Sequence, residues 1–276
     1  MTGKITNSRE LTKKFVESIE WIREEFLCMD ELSDSILMGI SDWDDAACFD
    51  FGGSKLVVST DGPYTKRLVM KSALVHAATD VLVKGAKPLF ALDNLAGNID
   101  DLRDMVGALK KQSLSMNIPL IGGNTRVEDV PAACTITVLG ELLFDEPIRD
   151  RGAKESDIVM VVGKPIWGEM DERLENAKIL FDTWFEILGR ISKNKLTVNS
   201  AKDITKGGIF PAIHEIFTKS KLKFIPDKDF ENFPYSKTRN LDNFLLTAPA
   251  EDCSVISGIC EGNGCPVVVI GKAERL

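Results

Sequence analysis

The chain lacks every short motif that would reveal its chemistry at a glance. Across 276 residues there is no GxxxxGK(S/T) phosphate loop, no GxGxxG turn, no GxSxG nucleophile elbow and no HExxH zinc helix. If phosphates are handled here, another architecture handles them. Histidine occurs only twice, as His76 and His214, too few for a zinc site of the His/Cys kind. Six cysteines are scattered without a CxxC pair, which reads as reduced, mostly buried thiols rather than a disulfide framework. No run reaches the roughly 18–20 consecutive apolar residues of a membrane span. The opening MTGKITNSRELTKKF is polar, with no apolar signal region, so no membrane association and a cytoplasmic location are expected. Basic residues are in deficit: 34 Lys and Arg against 42 Asp and Glu give a net charge of −8. That argues against a nucleic-acid partner, which needs a basic face. It leaves a small nucleotide open, because a few local cations and a metal suffice.

What is present is globular. The chain is 44% apolar and 28% charged, long enough for one large domain or two ordinary ones. Residues 8–27 read as a helix, with Leu11, Phe15, Ile19, Ile22 and Phe26 recurring at three and four and Asn7 or Ser8 as cap. Cys48–Phe51 and Lys55–Thr60 read as strands about Gly52-Gly53. Residues 68–84 read as a buried helix whose Ser72, His76 and Asp80 form one polar stripe. Pro88–Leu95, Ile118–Ile121 and Cys134–Phe144 read as strands, with a helix over Ile99–Met116 between the first two. The charged, turn-rich EPIRDRGAKESD marks the boundary. Beyond it come strands at Ile158–Val162, Phe244–Thr247 and Val267–Gly271, and helices over 172–191, 207–218 and 251–260. Strands and helices mix in both halves, so the expectation is α+β, two domains (1–148 and 149–276), rather than one all-parallel sheet.

The candidate chemistry lies in acidic residues and glycines. Asp44-Asp45 precedes a strand, and Asp61 ends LVVST; each alone is a cap or turn in most proteins. Asp80 is different, because it stands inside an apolar helix one turn after His76. Its plain alternatives are a solvated face or a His–Asp pair. Two ionised carboxylates about 5 Å apart repel by roughly 3 kcal/mol at an effective dielectric near 20, so a cluster of them calls for a divalent cation, and magnesium favours carboxylate, phosphate and water oxygens. Whether the residues converge does not follow from spacing. A second group, Asp203-Ile204-Thr205-Lys206-Gly207-Gly208, opens an amphipathic helix; it is either an ordinary cap or an anion site at a helix N-terminus.

Eight segments, DDAACF, LVVSTDG, ATDVLVKGAKPLFALDNLAG, IPLIGGNT, TVLGELL, RGAKESDIVMVVG, DITKGGIFPAIHEI and GCPVVVIGKAE, run in order over residues 40–272. In that register the chain resembles the superfamily of aminoimidazole ribonucleotide (AIR) synthetase. The same superfamily includes selenophosphate synthetase, thiamine-monophosphate kinase, formylglycinamidine ribonucleotide synthetase and the hydrogenase-maturation protein that dehydrates a carbamoyl group. The resemblance implies an N-terminal α+β domain that dimerises through its strands and binds ATP and Mg²⁺, followed by a C-terminal α/β domain. It implies metal ligation by Asp44, Asp45, Asp61, Asp80 and Asp203. It matches Gly122, Gly123, Asn124 and Thr125, with Lys206, Gly207 and Gly208, to the phosphate side. Asp93 matches an acidic position that faces substrate, and Lys71 is a further candidate for phosphate. Asn124 stands where thiamine-monophosphate kinase has Asp. No Gly-flanked Cys lies near the N-terminus, and GKAERL carries no cysteine tail. The implied activity is ATP-driven phosphorylation or phospho-activation of a small acceptor by a homodimer. The alternatives are a thiamine-monophosphate-kinase-like kinase and a nucleotide-binding maturation or accessory protein.

Overall fold

The computed structural model describes residues 10–205, 207–228, 230, 233 and 242–276. Six strands form the first sheet: β1 (Ile36–Met38), β2 (Ala47–Phe51), β3 (Ser54–Thr65), β4 (Ala86–Gly97), β5 (Leu120–Val127) and β6 (Ala133–Leu142). Their order is β1-β2-β3-β6-β4-β5. All neighbours are antiparallel except β4 and β5, which run parallel. The parallel pair needs a crossover, and a helix over Ile99–Met116 supplies it. Asn98 starts that helix by accepting from the backbone N–H groups of Asp100 and Asp101.

Among the described residues, the α-helices that frame the sheets are labelled α1 (Glu20–Phe26), α2 (Lys66–Val69), α3 (Ala73–Val83), α4 (Ile99–Met116), α5 (Met170–Ile191), α6 (Ile209–Ser220) and α7 (Ala250–Gly262). Five antiparallel strands form the second sheet: β7 (Ile158–Val162), β8 (Ser200–Ile204), β9 (Leu222–Pro226), β10 (Asn243–Ala248) and β11 (Val267–Arg275). Their order is β8-β10-β7-β11-β9. Helices cover both of its faces. Val159, Val161 and Leu245 pack with Ile209, Ile213 and Ile216 of α6, while Met160, Val162 and Phe244 join Trp184 and Leu188 of α5. A strand buried on both faces needs an unbroken apolar run, which is what IVMVV is.

All eleven residues of α3 are buried. One side rests on the first sheet and the other meets β8 and α5. Trp184 of α5 donates its indole N–H to the Leu82 carbonyl of α3 at 2.7 Å. One apolar cluster therefore runs from Met38 to Cys265 without a break, and it holds the two sheets in register around the site.

The sequence patterns located most elements within a few residues. Three strands, β1, β8 and β9, carried no recognisable pattern; β8 is Ser-Ala-Lys-Asp-Ile, whose charged pair reads as loop although the strand is wholly buried. The expected helix over 8–27 breaks at Val16 into residues 10–15, a 3-10 turn and α1. Its suggested caps, Asn7 and Ser8, lie outside the described residues. Asp61 lies within β3 rather than at its end, and Gly122–Thr125 belong to the exposed edge strand β5 rather than to a loop.

Candidate functional site

The site is built where α3, β8 and the Trp43-Asp44-Asp45 segment meet. Trp43 has φ of 55°, a left-handed conformation uncommon for a large side chain. Its carbonyl oxygen accepts from Lys219. The next two carboxylates lie in different surroundings.

Asp44 enters a nest of lysines. Its side chain is fully buried, with Lys84 Nζ at 3.6 Å and Lys219 Nζ at 3.1 Å. Asp150 sits opposite, 2.6 Å from Lys84 and 2.7 Å from Lys219, and its backbone N–H donates to Asp44 Oδ2 at 3.0 Å. Burial works against the Asp150 anion, but Lys202, Lys84 and Lys219 overcome it and hold the carboxyl far below the usual range. Burial and then Asp150 push Asp44 upward, against both lysines. Burial also opposes the Lys84 cation; Asp150 and Asp44 outweigh it, so this wholly buried ammonium stays charged. Asp45 is clasped by Lys202 Nζ at 2.6 and 2.5 Å, and this pairing outweighs burial to keep its carboxyl low.

On the other side of Asp45 the carboxylates have no lysine of their own. Ser59 Oγ donates to Asp80 Oδ2 at 2.8 Å and lies 3.0 Å from the Asp45 carbonyl oxygen. Burial, then Asp45 and Asp61, push Asp80 well above the carboxylate range. Burial, then Asp45 and Asp80, do the same to Asp203. Asp203 is 1% exposed, and neither of its carboxylate oxygens has a hydrogen-bond partner. His76, the polar-stripe neighbour of Asp80, lowers the Asp80 and Asp203 carboxyls in part, and Lys202 does the same for Asp203. The His76 Nδ1 lies 2.5 Å from Asp242 Oδ1 and its Nε2 3.6 Å from Asp61 Oδ2. Burial opposes its charge, but Asp242 and Asp61 raise it to about 10.

Of the residues singled out from sequence, Asp45, Asp61, Asp80 and Asp203 are thus brought together, while Asp44 is turned toward lysines. Asp93 and Gly123 are neighbours across β4 and β5, and both Asp61 and Asp93 register with Ile136 of β6. Two strand spacings put Asp93 about 10 Å from Asp61 along that row. A side chain at Gly123 would strike Asp93, with a Cβ 2.2 Å from its oxygens. Asn124 donates to the Asn94 side chain at 3.4 Å on the open edge, and Thr125 pairs with Leu95. Lys71 is engaged by Glu169 at 2.7 Å. Gly207 and Gly208 precede α6, with Gly208 at φ 81°. Lys206 lies outside the described residues. Lys84, Asp150, Lys202, Glu215, Lys219 and Asp242 were not anticipated. The one legible signal was Lys84, a lysine ending an otherwise apolar helix.

Two clefts flank Asp44-Asp45. One, of about 520 Å³, has apolar walls from Met29, Ile36, Ile40, Phe49 and Val58 and ends at Thr60. The other, of about 310 Å³, lies between Phe15, Val16 and Ile19 on one side and Lys202, Asp203 and Glu215 on the other. Among the described residues no three His, Cys, Asp or Glu side chains form a closed metal cage. The orphaned Asp203 oxygens and the raised Asp80 and Asp203 do fit a cation that brings other oxygens with it, as Mg²⁺ does with phosphates and water.

Residues 43–142 match the family model described as AIR synthase related protein, N-terminal domain. An uncharacterised protein of Methanocaldococcus jannaschii is 35% identical over 98% of this chain and 89% of its own length. The selenide, water dikinase of Caldanaerobacter subterraneus is 25% identical over 74% of this chain, which spans 65% of that enzyme. Among solved structures, AaThiL complexed with AMPPCP and TMP superimposes with a TM-score of 0.63 at 16% identity, covering 95% of this chain and 93% of that one; at that identity the likeness concerns the fold alone. No helix among the described residues is long and apolar enough to cross a membrane. By the matched domain, the full-length relative and the shared two-sheet architecture, this chain belongs to the AIR synthase-related superfamily.

Proposed function

We propose that the chain is an ATP- and Mg²⁺-dependent enzyme that phosphorylates or phospho-activates a small acceptor. The observation that carries this reading is Asp203: a buried carboxylate with both oxygens unpartnered, pushed up by Asp45 and Asp80. Such a group is costly unless a cation arrives. In this reading Asp45, Asp61, Asp80 and Asp203 hold the Mg²⁺ that accompanies the nucleotide, and Asp44 serves to fix the lysines. The metal supplies charge neutralisation at the transferring phosphate. The protein's own share is positioning: no covalent intermediate is required for a bound oxygen to attack a γ-phosphate. The apolar 520 Å³ cleft suits a nucleoside, and it opens onto Asp45.

Residues 1–148 would then bind nucleotide and dimerise, with 149–276 as the second domain. The first sheet supports dimerisation through its outer face, where Leu89, Leu92, Ile121 and Val127 are exposed beside the unpaired edge of β5. Support for ATP also comes from the relatives, which include a dikinase and a structure solved with an ATP analogue. The test is ADP release with candidate acceptors, comparing wild type with Asp45→Asn and Asp80→Asn. Both variants should lose turnover at least tenfold; undiminished turnover in both would sink the metal assignment. Nucleotide binding without ADP release under any acceptor would instead favour an accessory role.

A further inference from the structure

The 310 Å³ cleft contains a carboxylate that the metal assignment leaves unused. Glu215, on the second turn of α6, lines it together with Lys202 and Asp203. Its Oε2 lies 3.6 Å from Lys202 Nζ, beyond a good hydrogen bond, while Lys202 is committed to Asp45 at 2.5 Å. Glu215 therefore keeps lone pairs directed at the cleft. The charged groups acting on it are Lys202 of β8, Asp45, Asp150 and Lys219 one turn along α6. Burial pushes its carboxyl up, Lys202 pulls it down, and the balance falls at about 7. A carboxylate poised there accepts a proton more readily than an ordinary one at neutral pH. The apolar Phe15, Val16 and Ile19 also line the cleft.

We propose that this cleft holds the acceptor, an uncharged or cationic molecule with an apolar body and a hydroxyl nucleophile, and that Glu215 is the base that takes the hydroxyl proton. This rests on the nucleotide reading above. As the acceptor oxygen bonds to the γ-phosphorus, its proton passes to Glu215; the bond from that phosphorus to the β–γ bridging oxygen breaks, and ADP leaves with the electron pair. Glu215 then releases the proton to solvent. An acceptor that attacks through an anionic oxygen, such as a carboxylate or phosphate monoester, has no proton to lose and needs no such base.

The test measures ADP release from Mg-ATP by the full chain, with matched probe sets of one carbon skeleton: alkanols and amino alcohols against the corresponding carboxylates and phosphate monoesters. Mg-ATP affinity is measured in parallel by calorimetry. Alcohol or amino-alcohol probes should raise release above the rate with water. Glu215→Gln should lower that rate about 100-fold or more and remove the acidic limb of its pH profile, with Mg-ATP affinity unchanged, and Glu215→Asp should recover part of it. Ile19→Lys, at a 41% exposed wall position, should raise KM for amino alcohols without touching Mg-ATP affinity. The proposal is overturned if Mg-ATP binds but only carboxylates or phosphate monoesters raise release, if no probe does, or if Glu215→Gln keeps the full rate and pH profile. Absence of Mg-ATP binding by wild type would overturn the nucleotide reading itself, and the proposal with it.

Discussion

Two groups of buried carboxylates lie side by side in this molecule and differ in one respect. Asp44 and Asp150 face Lys84, Lys202 and Lys219; among the described residues Asp80 and Asp203 form no ion pair with a lysine, and burial and neighbouring carboxylates raise them against a partial offset from His76 and, for Asp203, from Lys202. Burial is alike: Asp80, Asp150 and Asp203 are buried, as is the Asp44 side chain. The first group is compensated from within, so Asp150 is held ionised and the network acts as a structural pin. The second is raised by burial and like charge, and on that the proposed cation site rests. Asp45 stands on the seam between them, clasped by Lys202 yet raising Asp80 and Asp203. Burial of acidic residues by itself therefore does not mark a site here; the missing counter-charge does.

The largest effect should come from removing the compensation. Lys84→Met leaves Asp44 and Asp150 buried against one fewer cation, and should cost about 3–5 kcal/mol in denaturant unfolding. A loss under 1 kcal/mol would mean that Lys219 and Lys202 suffice without it.

The second group should respond in the opposite sense. With the folded values of Asp80 and Asp203 raised, the native state holds protons that the unfolded chain releases near pH 4. Their contribution is present at low pH and lost as pH rises through the raised folded values. The metal-free melting temperature of wild type should thus fall as pH increases over that window, and Asp203→Asn should flatten the fall. A slope identical in wild type and variant would show that Asp203 ionises freely.

His76 offers a smaller effect with its own window. Its folded value of about 10 lies above the usual 6.5, so its stabilisation is complete below about pH 6.5 and lost as pH climbs toward 10. His76→Gln should remove that alkaline component from a pH series of thermal melts; an unchanged series would mean that Asp242 and Asp61 do not hold the imidazolium. Smallest of all should be Asn124→Asp. On the exposed edge strand β5, it should change stability by less than about 0.5 kcal/mol and Mg-ATP affinity by less than threefold.

Much of this was legible in the chain. Apolar periodicity located α4, α5 and β7 closely, and Asp80 stood out because a carboxylate inside ALVHAATDVLV contradicts its surroundings. The motif register paired it with Asp45, Asp61 and Asp203. What the sequence hid was counter-charge. Lys202 and Asp203 sit in a five-residue strand whose polarity reads as loop, Lys219 looks like an ordinary helix-end lysine, and Asp150 lies in a charged stretch that reads as a solvent-exposed boundary. Their roles depend on long-range packing between the two sheets, which has no local pattern. Asp44 shows the consequence: adjacent to Asp45 in sequence, it packs between Lys84 and Lys219 while Asp45 pairs with Lys202.

The central claim is that Asp80 and Asp203, which form no ion pair with a lysine among the described residues, receive the cation, and that Asp44, fixed between Lys84 and Lys219, does not. Calorimetric titration of Mg-ATP into wild type, Asp80→Asn, Asp203→Asn and Asp44→Asn, each confirmed folded at the temperature used, tests it directly. The account predicts at least a tenfold loss of affinity in Asp80→Asn and Asp203→Asn, with Asp44→Asn less stable but binding within threefold of wild type. Wild-type affinity in the first two, or a loss confined to Asp44→Asn, would contradict it.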